Sequence, residues 1–185
     1  MSVVLWHTQM SLDGFIAAPG DAMEWAFENW SDTDDTIDEV VRSTGALLVG
    51  RRTQDVEDRE QPGFYGGAYR GPFFTLRHNP PAEPPVVKGV TGRFIDVEIE
   101  KAVQIAKEAA DGANVVILGA NVAKQALQAD LVDEVLVHVT PVLLGDGVRL
   151  FSHQGGLPIR LERTSVQETG QLTALRFRVR REGGR

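Results

Sequence analysis

Hydrophobic positions in this chain follow two rhythms. Val115, Val116, Ile117 and Leu118 form a continuous apolar run, the pattern of a strand buried on both faces. Gly119 follows at once, Asn121 is a good N-cap, and Val122, Ala126 and Leu127 recur at helical spacing. Val135, Val137 and Val139 alternate as a strand, and Pro141, which cannot donate to a ladder, marks a strand end or an edge. Val3 to Gln9 predicts another strand, with Val3, Val4, Leu5 and Trp6 suited to a central position. Asp32 to Thr44 reads as a helix capped by Ser31 or Thr33, with Ile37, Val40 and Val41 inward and Gly45 as its stop. Ala46 to Val49 and Pro72 to His78 are the second and third strands, and Arg93 to Ile95 is a short one. Asp96 is the expected cap of an amphipathic helix that puts Ile99, Val103, Ala106 and Ala110 on one face and ends at Gly112. The tail, Ile159 to Arg181, predicts an antiparallel hairpin around Glu168-Thr169-Gly170-Gln171. There Leu175, Phe177 and Val179 alternate with Arg176, Arg178 and Arg180, so the arginine row is expected on a wet face.

With βα units first and a hairpin last, the order predicts an α/β fold. A mixed central sheet should carry helices on both faces and end in the C-terminal hairpin. The expected organisation is a single domain over 1–182 with 183–185 a disordered tail.

The net charge of −7 and the pI near 5.1 argue against nucleic acid as a partner, because phosphate contacts need clustered positive charge. A nucleotide cofactor needs only a few local arginines and stays open. With no cysteine, thiolate catalysis, disulfides and cysteine-ligated zinc are excluded. The start, MSVVLWHTQM, lacks a basic leader, and no apolar run approaches the roughly 20 residues of a membrane span. The expectation is a soluble cytoplasmic protein without membrane association.

Two stretches bring a strand through glycine into a helix N-terminus, where free N–H groups and the helix dipole favour an anion. One is Gly119-Ala120-Asn121-Val122; the other is Gly50-Arg51-Arg52-Thr53, which adds two guanidinium groups suited to phosphate. Each also reads as an ordinary βα turn. The segment Gln61 to Gly71 holds four glycines with Phe64, Tyr65 and Tyr69, the composition of a lid or of a surface loop. Met23, Trp25, Phe27 and Trp30 form either a planar-ligand pocket or ordinary core. GxGxxG, Walker, HExxH and GxSxG patterns are absent, and four scattered histidines give no metal spacing. A cofactor that brings its own chemistry fits such a chain.

Ser11-Leu12-Asp13-Gly14-Phe15-Ile16-Ala17, Met23-Glu24-Trp25, Gly50-Arg51-Arg52-Thr53 and Leu131-Val132-Asp133-Glu134 carry a resemblance, together with Pro141-Val142-Leu143-Leu144-Gly145-Asp146-Gly147 and Leu150-Phe151. In this order they resemble the dihydrofolate reductase-like family, above all the reductase domain of the bifunctional riboflavin-biosynthesis deaminase/reductase and its stand-alone relatives. The resemblance implies NADPH as hydride donor, a small heterocyclic substrate and a homodimer. It implies that Gly50, Arg51, Arg52 and Thr53 meet the adenosine phosphates, and that Leu76, Arg77 and His78 lie near the adenosine ribose. Gly119, Ala120, Asn121 and Val122 would cradle the pyrophosphate. Asp13 would orient the nicotinamide or relay a proton through water, unless it merely forms the turn. Trp25, Tyr65 and Tyr69 would stack on or cover the substrate.

The chain departs from the family pattern in its substrate apparatus. Ala120 stands where a second glycine is usual, His7 where a lysine is usual, and Leu118 where a glutamate is usual. Trp30 occupies the position at which dihydrofolate reductase has a carboxylate. The implied activity is an NADPH-dependent reductase resembling the 5-amino-6-(5-phosphoribosylamino)uracil reductase of riboflavin biosynthesis. A dihydrofolate or pterin reductase is the alternative within the fold, and a non-catalytic nucleotide- or flavin-binding protein is the alternative outside it. Val135 to Val139 and Arg176 to Arg180 are the expected dimer surface.

Overall fold

The computed structural model describes residues 2–28, 35–60 and 63–181. Trp30, the caps Ser31 and Thr33, and the expected tail 183–185 lie outside the described residues. The strands are β1 (Val4–Ser11), β2 (Phe15–Ala17), β3 (Thr44–Gly50), β4 (Phe73–Leu76), β5 (Val86–Val87), β6 (Val90–Thr91) and β7 (Arg93–Ile95). They continue as β8 (Asn114–Leu118), β9 (Glu134–Thr140), β10 (Val148–Arg149), β11 (Leu161–Thr169) and β12 (Leu172–Val179). The α-helices are α1 (Glu24–Phe27), α2 (Asp35–Ser43), α3 (Arg51–Glu60), α4 (Ile99–Ala109) and α5 (Ala120–Gln128).

Eight strands form one sheet in the order β11-β12-β9-β1-β8-β3-β4-β7. From β9 to β7 neighbouring strands run parallel, while β12 and β11 are antiparallel additions. The apolar run 115–118 fills β8, between β1 and β3, and Val115, Val116 and Ile117 are fully buried. Burial on both faces is what parallel strands under helices require. On one face α4 and α5 supply Ile99, Val103, Ala106, Val122 and Ala126 to a core with Val4, Leu48 and Ile117. On the other, Val40 of α2 joins Phe64, Tyr69, Phe73 and Val87 over Leu5, Leu47 and Val116. The fold is the mixed α/β sheet expected, with the hairpin as its edge.

Several boundaries fall elsewhere. Gly45 does not stop a helix: it lies in β3, beside a register shift, where a Cβ would overlap the Ala110 carbonyl. Asp96 is not the cap of α4; Glu98 occupies that position, and Asp96 accepts from the Asn79 N–H and pairs with His78 Nδ1 at 3.0 Å. Asn121 is not the cap of α5 either, because Gly119 takes that place and Asn121 lies in the first turn. The arginine row is not uniformly wet: Arg176 is half-buried and paired with Glu39 at 3.0 Å and Glu134 at 3.5 Å. As for the expected dimer surface, β9 lies inside the sheet between β1 and β12, and the sheet ends at β11.

Candidate functional site

The parallel pairing of β3 with β8 sets Val49 opposite Leu118, so both chains leave the sheet side by side through Gly50 and Gly119. The two glycine junctions, far apart in sequence, become one floor. In open parallel sheets, ligands bind outside the carboxyl ends of strands. There a cavity of about 770 Å³ opens, lined by all ten residues expected to hold a nucleotide: Gly50, Arg51, Arg52, Thr53, Leu76, Arg77, Gly119, Ala120, Asn121 and Val122.

Gly119 has φ 87° and ψ 161°, a conformation essentially confined to glycine. A Cβ there would run into Thr53 Oγ1. The glycine therefore lets α3 and α5 start against each other, and no side chain caps α5, leaving its first N–H groups open to the cavity floor. Ala120 opens the helix with none of the positive φ that would demand glycine. The missing second glycine thus removes nothing the backbone needs.

The arginines differ. Arg51 Nη1 donates to Asp55 across one helical turn at 3.2 Å, with both side chains about half exposed. Such a pair is worth 1 kcal/mol or less by order of magnitude, so a phosphate can take the guanidinium over. Arg52 grips both carboxylate oxygens of Asp21, with Nε to Oδ2 at 2.8 Å. Its fork anchors the 19–21 turn at the cavity rim instead of standing open. Arg77 lies over the Phe94 ring at 5.6 Å.

A second group of residues lines the other part of the cavity: His7, Gln9, Glu57, Tyr65 and His138. His7 Nδ1 lies 2.7 Å from the Tyr65 hydroxyl, and the two rings stack with centroids 5.5 Å apart. His138 meets His7 edge-on at 5.0 Å. Burial, helped by His138 and Arg176 nearby, drives the His7 pKa well below its usual value, so the ring is neutral at pH 7. Burial raises Tyr65 well above its usual value, with Glu57 adding to the effect. A hydrogen bond between two neutral groups therefore joins the Tyr65 hydroxyl and His7 Nδ1. Tyr65 holds φ 55°, rare for a bulky residue, and the ring packing and hydrogen bond keep it there. Burial also pushes the Glu57 carboxyl up to about 8. Gln9 is fixed by donating to the Ala26 carbonyl and to Thr140 Oγ1, both at 2.8 Å.

Three expected residues lie outside the cavity lining. Asp13 accepts from Ser11 Oγ at 2.6 Å and from the N–H groups of Leu144 and Gly145 at 3.1 and 2.7 Å. These bonds hold its carboxyl at about 2, the environment of a loop staple and not of a proton relay. Trp25 is buried, and its Nε1 has no hydrogen-bond partner among the described residues. Tyr69 is buried in the core with its hydroxyl donating to the Pro72 carbonyl at 2.9 Å. The 63–69 segment is thus a packed plug rather than an open lid, with Phe64 edge-on to Phe73 at 5.0 Å and Tyr65 and Gly66 reaching the cavity.

Glu57 carried no motif in the sequence. The available signal was spacing: it stands four residues after Thr53, hence one turn along the same helix face. His7 stood out only as a departure from a lysine pattern, and His138 only as one of four scattered histidines.

Comparison with known proteins agrees with this architecture. A putative riboflavin biosynthesis protein from Shewanella sp. PV-4 superposes with a TM-score of 0.80 at 22% identity, covering 97% of this chain and 99% of the other. The deaminase/5-amino-6-(5-phosphoribosylamino)uracil reductase of Thermotoga maritima gives 0.72 at 16% identity, with 96% of this chain matching 56% of that one. The Saccharomyces riboflavin biosynthesis reductase Rib7 gives 0.67 at 16% identity over 97% and 90% of the two chains. No curated protein sequence matches. The model of the RibD C-terminal domain matches residues 69–175, more than half of the sequence, and the chain therefore belongs to the RibD C-terminal domain family, the reductase family of riboflavin biosynthesis with a dihydrofolate reductase-like fold.

Proposed function

We propose that this protein is an NADPH-dependent reductase of a small heterocycle. The observation that carries the reading is the convergence of three separated stretches, ten residues in all, on one cavity at the carboxyl ends of β3, β4 and β8. The residues present fit the cofactor. Gly119 leaves an uncapped helix N-terminus bare of side chain, and Arg51 is held only by a surface pair. Arg51 and Arg77 are the cations for the ribose 2′-phosphate, since a dianion is matched by bidentate donors. Gly119, Ala120, Asn121 and Val122 hold the pyrophosphate through backbone N–H groups. Bound there, NADPH supplies the hydride. The chain itself binds, orients and shelters: Gln9, locked by two hydrogen bonds, and the neutral Tyr65–His7 pair present fixed polar groups to a planar ring.

Neutral His7 and apolar Leu118 replace charged groups on this lining, so a ribityl-phosphate substrate has less support than an uncharged pyrimidine or pterin. A homodimer belongs to the same reading, with β11 as the open edge and its Leu161 and Val166 exposed. A sedimentation mass near 20.2 kDa would refute it.

Calorimetric titration with NADPH and NADH tests the assignment. NADPH is expected to bind at least tenfold tighter, about 1.4 kcal/mol. Absence of binding by either nucleotide overturns it in favour of a sensor or scaffold.

A further inference from the structure

We propose that Gln9 sets the substrate specificity of this site: its side-chain oxygen accepts a hydrogen bond from an N–H of the heterocycle, which makes the substrate an uncharged, amino-substituted ring. The inference rests on the reductase reading above and names its substrate class. Gln9 lies on β1, opposite His138 of β9 in the parallel register, and both line the cavity. His7, two positions earlier on the strand, stands on the same face and lines it too.

The partners of the Gln9 amide fix which way it points. The Ala26 carbonyl can only accept, so the amide must turn its nitrogen toward it, and the same nitrogen reaches Thr140 Oγ1; both contacts are 2.8 Å. The oxygen, Oε1, is thereby held on the other side of the group. It accepts no hydrogen bond among the described residues, and it is not sealed from solvent. It therefore stands in the open space that Gln9 lines, which is the cavity. An acceptor held in one place reads a donor, and an N–H on a planar ring supplies one.

The surroundings give the rest of the substrate's character. Among the described residues, the cations of the lining are Arg51, Arg52 and Arg77, and all three follow β3 or β4 at the nucleotide floor. The strands β1, β9 and β12 bring His7, Thr8, Gln9, His138 and Leu172 to the lining, with no lysine or arginine. Ile16 and Ala17 of β2 and Val148 of β10, the strand paired with it, add apolar surface. A phosphate or carboxylate on the substrate would lose water there without meeting a cation, whereas a neutral ring would not. Nδ1 of His7 is spent on Tyr65, but Nε2 has no hydrogen-bond partner among the described residues and offers the same ring a second polar contact.

Calorimetry on the full chain, without nucleotide, decides it with two probes: 2-aminoquinazoline, and 2-methoxyquinazoline, which has the same ring but no N–H. Wild type should bind the amino probe at least tenfold tighter, because the methoxy probe leaves Oε1 covered and unpaired. Gln9→Met should lose that preference through the amino probe alone. Gln9→Glu, which keeps an acceptor oxygen, should retain it. Equal affinity of the two probes for wild type overturns the proposal whatever the variants do. Equal weakening of both probes in a folded Gln9→Met protein, or loss of the preference in Gln9→Glu as well, makes Gln9 a strut of the wall and overturns it too. A further titration uses NADPH alone, whose nicotinamide carboxamide also carries N–H donors. If Gln9→Met weakens NADPH as much as it weakens the amino probe, Oε1 serves the cofactor and the proposal falls. Failure of wild type to bind NADPH would instead remove the reductase reading and leave the probe preference standing.

Discussion

Replacement of Gly119 by alanine tests the site where the two helices start together. The backbone at φ 87° and ψ 161° is closed to residues with a Cβ, a strain of about 1–3 kcal/mol. The added methyl also overlaps Thr53 Oγ1, and forcing extra volume into a packed contact adds about 1–3 kcal/mol. The two together predict a loss of roughly 2–6 kcal/mol, which for a chain of this length lowers Tm by roughly 4–24 °C. Urea unfolding gives the free energy and a thermal scan the shift. The double variant Gly119→Ala/Thr53→Ala separates the contributions: removing the hydroxyl should return about 1–2 kcal/mol of the overlap and none of the backbone strain. A Gly119→Ala protein within 1 kcal/mol of wild type would mean that this junction is not built as described. Equal losses in single and double variants would mean that Thr53 is not what the methyl meets.

Other expectations follow from separate features. Arg51→Ala should weaken NADPH by about 1.5–3 kcal/mol, the range for a hydrogen bond to a charged group, with a smaller effect on NADH by calorimetry. Equal loss of both would misplace the 2′-phosphate. Tyr65→Phe removes the hydrogen-bond partner of buried His7 Nδ1 and should cost about 1–3 kcal/mol in urea unfolding. Glu57 has a carboxyl raised from 4.5 to about 8, so the native state holds a proton that the unfolded chain releases in that window. Wild-type stability should therefore fall as pH rises from 4.5 to 8, by up to about 1.4 kcal/mol per pH unit, and Glu57→Gln should flatten the slope. Asp13 has the opposite sign: its carboxyl is depressed from 3.8 to about 2, so the stability it lends is present above 3.8 and lost as pH falls through 2. Asp13→Asn should shrink that acid limb and loosen the 144–145 loop, read as faster amide exchange at Leu144 and Gly145.

The strands and helices were largely legible in the chain because their burial is local in origin. The apolar run 115–118 could only be a strand covered on both faces, and Ile99, Val103 and Ala106 at helical spacing could only make one inward stripe. Caps were read less well. Asp96 and Asn121 have the right side chains for capping, but other N–H groups claimed Asp96, and the turn after β8 needed a positive φ that only Gly119 supplies. Gly45 looked like a helix stop because its real constraint, the approach of Ala110, lies 65 positions away in the chain.

By itself the sequence determined the layered α/β fold and the two strand–glycine–helix junctions, since periodicity and glycine placement act over a few residues. Tertiary structure decided that these junctions adjoin, through the parallel register of β3 and β8. It also decided which polar groups work in the cavity. Asp13 is drawn into a loop by backbone donors from 144–145, while Glu57 is partly buried on the cavity wall with no opposite charge beside it among the described residues. The two carboxyls thereby separate from a common starting range to about 2 and about 8. No local pattern encodes that difference, because it depends on what distant segments bring to each side chain.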